Sequence, residues 1–158
     1  MLEFDLEKIR DTIKNASETT KIYIGCDSER FRKKGVWWSQ YATVVVLHLD
    51  GNHGCMIFGK TEVERDLDSN KNKPILRMMN EVYRASNLYL ELEDVLKDRD
   101  VQIHLDINPD EAFGSNVAYN QAIGYVKGVC HITPVLKPDS FASSKAADRF
   151  AGIGEKIV

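Results

Sequence analysis

The chain has 158 residues, enough for one sizeable core without disulfide or metal staples, so a single domain over 1–158 is expected, with residues 1–20 as an N-terminal helical extension. Its 43% hydrophobic and 28% charged residues include no apolar run near the roughly 20 residues that cross a bilayer, which argues against a membrane protein. A formal charge of −3 argues against coating of nucleic acid by bulk electrostatics, but not against an enzyme that pairs an acidic metal site with a local basic patch.

The start, Met1-Leu2-Glu3-Phe4-Asp5, is acidic where a signal peptide needs basic residues and then an apolar core, so the cytoplasm is the expected location. Cys26, Cys55 and Cys130 are widely spaced with no C-x-x-C, a pattern of reduced thiols rather than a disulfide framework or zinc ribbon. Leu6, Ile9, Ile13 and Ala16 recur at helical spacing behind Asp5, a candidate N-cap, and predict an amphipathic helix over 5–17. A first strand follows. In Lys21 to Asp27, Ile22, Ile24 and Cys26 fall on one face and Tyr23, Gly25 and Asp27 on the other.

After the basic turn Glu29 to Gly35, the run from Trp38 to Leu49 is β-branched and aromatic and predicts a second strand; Asp50-Gly51-Asn52 turns the chain into a third, Gly54 to Thr61. Glu62 to Lys73 reads as a charged loop, and Pro74 opens a long helix. Its stripe is Ile75, Met78, Met79, Val82, Ala85, Ser86, Tyr89, Leu92 and Leu96, with Glu81 at the border. Val101 to Ile107 alternates as a fourth strand that reaches Asp106 before the turn Asn108-Pro109-Asp110. A helix from Gly114 to about Gly128, a short fifth strand over 132–137 and a last helix, capped by Ser143 or Ser144 and carrying Ala146 to Phe150, complete the chain.

Two strands thus end in carboxylates, Asp27 and Asp106. About seventy residues separate them, room for a hairpin and a helix, so the strands can lie parallel with both acids at their C-terminal ends, where open α/β sheets place their sites.

The order β-β-β-α-β-α-β-α, with acids at Asp27, Glu81, Asp106 and Asp148, resembles the ribonuclease H-like fold over roughly residues 20 to 152. More narrowly, Ile22-Tyr23-Ile24-Gly25-Cys26-Asp27-Ser28, His104-Leu105-Asp106, and Leu136-Lys137-Pro138 followed by Ala146-Ala147-Asp148 look like a bacterial and phage family of uncharacterised ribonuclease H-like proteins. The resemblance implies an α/β domain with a five-stranded mixed sheet, ordered 3-2-1-4-5 in the predicted numbering, and helices on both faces. It implies a nuclease dependent on two Mg²⁺ or Mn²⁺ ions, acting on RNA, an RNA/DNA hybrid or DNA. By the same resemblance Asp27 bridges both ions, Glu81 and Asp106 hold one, and Asp148 holds the other. Hard divalent ions take carboxylate oxygens and water, so acids from separate elements suit that chemistry. Glu91 and Glu93 compete with Glu81, and Asp139 with Asp148; Glu91 lies about 15 Å along the helix from Glu81, so both cannot serve one site.

Each acid also has a plain structural reading: turn or cap for Asp27 and Asp106, solvated helix face for Glu81, surface pair with Arg149 for Asp148. Arg30, Arg32, Lys33 and Lys34 beside Trp37 and Trp38 form a candidate phosphate-tracking strip with a stacking platform; the alternative is a solvated hairpin. Ser28, Lys137 and Lys145, with Ser143 and Ser144, are further candidate contacts to nucleic acid. His104 shares strand parity with Asp106 and so could touch the acids, but is read first as a satisfied core residue. No H-E-x-x-H, zinc-deaminase, P-loop or G-x-S-x-G motif occurs, and oligomeric state stays open. The competing functional class is a non-catalytic module of the same fold that binds nucleic acid or protein.

Overall fold

In the computed structural model, which describes residues 2–51, 54–110 and 114–142, five strands form one mixed sheet. β1 is Leu2–Glu3, β2 Lys21–Lys33, β3 Val36–His48, β4 Cys55–Arg65 and β5 Asp100–Leu105, in the order β1-β4-β3-β2-β5. β2, β3 and β4 are an antiparallel meander; β5 joins β2, and β1 joins β4, in parallel. The helices are α1 (Leu6–Asn15), α2 (Ile75–Leu96) and α3 (Tyr119–Cys130).

Alternation along β2 assigns its two faces. Ile22, Ile24 and Cys26 enter the main core with Ile9 and Ile13 of α1, Met79, Val82 and Leu92 of α2 and Ala122 and Val126 of α3. Tyr23 faces the other way, into a smaller cluster with Ala42, Val44, Val46 and Ala142. Among the described residues all three helices serve one face. Helices on both faces were expected, and the last predicted helix lies outside the described residues.

Several predicted boundaries move for identifiable reasons. β2 does not stop at Asp27. Its antiparallel partner β3 carries it on to Lys33, where Lys34 and Gly35, at φ 51° and 78°, form a two-residue turn with both central residues in the left-handed region, the twist that suits a tight hairpin. β4 likewise runs to Arg65, opposite Trp38, which shortens the predicted charged loop to residues 66–73. The predicted fifth strand is only a bridge: Val135 exchanges backbone hydrogen bonds with Leu105 and Ile103 on the far side of β5. The two-residue β1 completes the count instead.

The start of α2 depends on a side chain distant in sequence. Pro74 occupies the N-cap without a capping bond, and the buried Asp68 carboxylate accepts from the Leu76 and Arg77 amides at 2.8 and 2.9 Å. At the end of α1, Arg99 donates to the carbonyls of Ile13, Ala16 and Ser17 and holds the helix exit to the turn before β5. Ile75, expected in the α2 stripe, is 36% exposed and lines a cavity beside the end of β4 instead of entering the core.

Asp68→Ala removes both capping bonds and is expected to cost about 1–2 kcal/mol of stability. Urea unfolding measures this; an unchanged midpoint would show that the cap contributes nothing.

Candidate active site

The parallel ladder between β2 and β5 ends at Cys26 opposite Leu105. The next residues on the two chains are Asp27 and Asp106, which by alternation follow Tyr23 and His104 and which line one cleft. There β5 leaves the sheet while β2 continues with β3. The opening is a cleft of about 540 Å³ whose wall includes Asp27, Ser28, Lys71, Arg77, Asp106 and Lys137. This is the crevice beyond the carboxyl ends of parallel strands where α/β sheets hold ligands.

Glu81 reaches the same strand from the other face. Ser28, next in alternation after Ile22, Ile24 and Cys26, donates from Oγ to Glu81 Oε1 at 2.6 Å. Arg77, one helical turn before Glu81, donates from Nη1 to the Ser28 carbonyl and hydroxyl at 3.0 and 2.8 Å. Asp27 is 8% exposed and Glu81 3%. Burial, reinforced by the negative fields of Asp27 and Asp106, pushes the Glu81 carboxyl well above the ordinary carboxylate range, against the Ser28 hydrogen bond and Arg77. Glu81 is thus the α2 acid that meets Ser28, whereas Glu91 and Glu93 lie exposed further along α2.

Lys137 Nζ lies 2.8 Å from Asp106 Oδ1. Burial alone would lower its amine, but the hydrogen bond to Asp106 and the fields of Asp106, Asp27 and Glu81 raise it overall, so the lysine is a fixed cation among acids. The bridge at Val135 delivers it, two residues on, to the end of β5.

The basic hairpin is more ordered than its composition suggests. Arg30 and Arg32 lie over the Trp37 ring at 5.7 and 5.6 Å from its centroid, and Lys71 joins them at 5.9 Å. Arg30 also donates to the Lys71 carbonyl. Lys33 and Lys34 are exposed at the tip. Trp37 therefore holds a cluster of cations rather than presenting a bare stacking face. His104 is structural: Nδ1 accepts from the Ala142 amide at 3.1 Å, Nε2 meets Gln102 Oε1 at 3.0 Å, and burial lowers its pKa to about 4, against Asp139. Asp148 and Lys145, with Ser143 and Ser144, lie outside the described residues. Arg77 and Lys71 were not singled out from the sequence; the spacing of Arg77 four residues before Glu81 was the available signal.

The donor set suits a hard divalent cation: every candidate ligand is a carboxylate oxygen, and the Lys137 ammonium against Asp106 shows that positive charge is accommodated there. Among the described residues, no three Asp, Glu, His or Cys side chains form a group that could hold a metal ion.

An antiparallel meander of β2, β3 and β4 with β5 parallel to β2, and acids just past the ends of the parallel pair, has the form of an α/β protein of the ribonuclease H type. The chain matches the family model described as Ribonuclease H-like over residues 6–152 and belongs to that family. No match is found among curated proteins or among solved structures. No helix among the described residues is long and apolar enough to cross a membrane.

The Glu81 shift has a measurable consequence. Its folded value lies above the roughly 4.3 of an unfolded chain, so between the two the native state binds the extra proton. The stabilising contribution is full below the unfolded value and is lost as pH rises through the folded one. Glu81→Gln keeps an acceptor for Ser28 and is expected to match the parent near about pH 4 and to exceed it in stability at about pH 8 in EDTA. Parallel pH profiles in urea unfolding would contradict the assignment.

Proposed function

We propose that the chain is a nuclease that hydrolyses phosphodiester bonds with two Mg²⁺ or Mn²⁺ ions, with RNA or an RNA/DNA hybrid as the favoured substrate. The observation that supports this is the β2/β5 ladder, which ends at Cys26 opposite Leu105, one residue before Asp27 and Asp106, both of which line a cleft with Arg77 and Lys137. Asp27 and Asp106 would hold the ions, with Glu81 entering from the α2 side and Asp148 assigned by family resemblance to the second ion. When bound, the ions supply activation of the attacking water and stabilisation of the leaving oxygen. The protein's own groups then bind and orient. Arg77 fixes Ser28 and thereby Glu81, Lys137 offers positive charge beside the scissile phosphate, and Arg30, Arg32, Lys33 and Lys34 track the backbone away from the site.

A second reading, a binding module without catalysis, is favoured by one observation: Asp106 and Glu81 already have partners in Lys137 and Ser28. The two separate on one assay. Labelled single-stranded RNA, RNA/DNA hybrid and DNA are incubated with Mg²⁺ or Mn²⁺, and Asp27→Asn and Asp106→Asn are each expected to lower cleavage by at least about 100-fold while remaining folded. Nucleic-acid binding without cleavage of any substrate by the parent would leave the module.

A further inference from the structure

The ion pair between Lys137 and Asp106 puts a cation on a carboxylate that the metal-dependent reading needs as a ligand. Nζ lies 2.8 Å from Asp106 Oδ1, an oxygen that is buried and takes no hydrogen bond from any other group among the described residues. The other cations of the cleft wall are tied elsewhere. Arg77 donates to the Ser28 carbonyl and hydroxyl, and Lys71 pairs with Asp66 and lies over the Trp37 ring. Of the three, Lys137 is the one whose ion pair is to a site acid. Its main chain is fixed: Val135 exchanges backbone bonds with β5, and the Lys137 amide donates to the Ile107 carbonyl at 3.2 Å. Its side chain is 39% exposed on a flexible four-carbon stem and lines the cleft, so the ammonium can move where the backbone cannot.

The geometry sets up a competition. A hard divalent ion sits about 2.1 Å from a carboxylate oxygen, so an ion and an ammonium sharing Oδ1 would lie at most about 5 Å apart, two like charges on one acceptor atom. We infer that Lys137 and a divalent ion are alternative partners of Asp106: Lys137 gives way when the ion binds, and its ammonium swings on a fixed main chain into the cleft, where the phosphate of a bound strand can take it. This rests on the metal-dependent reading of the cleft and makes Lys137 a positioning residue that sets how tightly the ion is held. Asp106 is open to the ion only in the fraction of molecules whose lysine is turned away, and the apparent affinity falls by that fraction.

The test is Mn²⁺ titration of chelator-treated protein at neutral pH without nucleic acid, followed by the EPR signal of the free ion. Lys137→Met, and Lys137→Gln as a second neutral variant that keeps a donor for Asp106, are each expected to bind Mn²⁺ at least about tenfold more tightly than the parent. Lys71→Met removes an equal charge from the same wall and is expected to stay within about twofold of the parent. In the Asp106→Asn background, Lys137→Met is expected to bring no gain. Urea unfolding gives an independent readout: the midpoint of Lys137→Met falls in EDTA, because the acids lose their counter-charge, and Mn²⁺ restores it. Equal Mn²⁺ affinity in the parent and both Lys137 variants would overturn the competition and leave the metal reading intact. A gain matched by Lys71→Met, or one that persists in the Asp106→Asn background, would also overturn it. Binding of Mn²⁺ by neither the parent nor any variant would remove both.

Discussion

Two carboxylates on neighbouring parallel strands repel each other, and their position at the end of the β2/β5 ladder is the constraint on which the site depends. Strands sit about 4.8 Å apart, close enough for like charges directly opposite to be destabilising. The protein meets this with Lys137, carried to Asp106 by the short bridge at Val135 on the other side of β5. That explains why a segment too short to count as a strand is nevertheless held by backbone bonds to both Ile103 and Leu105. The main chain of residues 135–137 is the device that places a cation.

Glu81 is a separate problem with a separate solution. It approaches β2 from the α2 face, whereas Asp27 belongs by alternation to the opposite face, so the acids meet only over the place where β5 ends. A carboxyl buried this deeply is disfavoured as an anion, and Ser28 and Arg77 together provide the hydrogen bond and the positive field that moderate that cost. The pair Asp27-Ser28 therefore serves both faces of the sheet with consecutive residues. Arg77 links the stability of the first turns of α2 to the geometry of the acids, because the same helix start is held by Asp68.

Most of this arrangement was legible where a period is strict. The alternation in Lys21 to Asp27 and Val101 to Asp106 identifies both strands and their faces, and the stripe of α2 places Glu81 at its edge. What escaped had non-local causes. β2 and β4 run past their predicted ends because β3 continues to offer them partners, which composition near Arg30 or Glu64 does not reveal. The cap on α2 comes from Asp68, six residues before the N-cap, and β1 is two residues whose pairing to Phe58 and Gly59 has no periodic signal. The choice among Glu81, Glu91 and Glu93 needed the sheet to show which helix turn lies over Ser28.

The overall charge of −3 conceals a strongly polarised chain. Acids gather at the β2/β5 junction, and cations continue along the same strand: at about 3.3 Å per residue, Arg30 lies about 10 Å and Arg32 about 16 Å beyond Asp27. Because both guanidinium groups rest on Trp37 and Arg30 is tied to the Lys71 carbonyl, these charges lose less side-chain freedom on meeting an anion than free lysines would. A polyanion that enters the cleft on the proposed reading would meet a cation row whose spacing is set by strand geometry. Its affinity would then rest on the local field of a single hairpin and weaken steeply with salt, whatever the sign of the net charge.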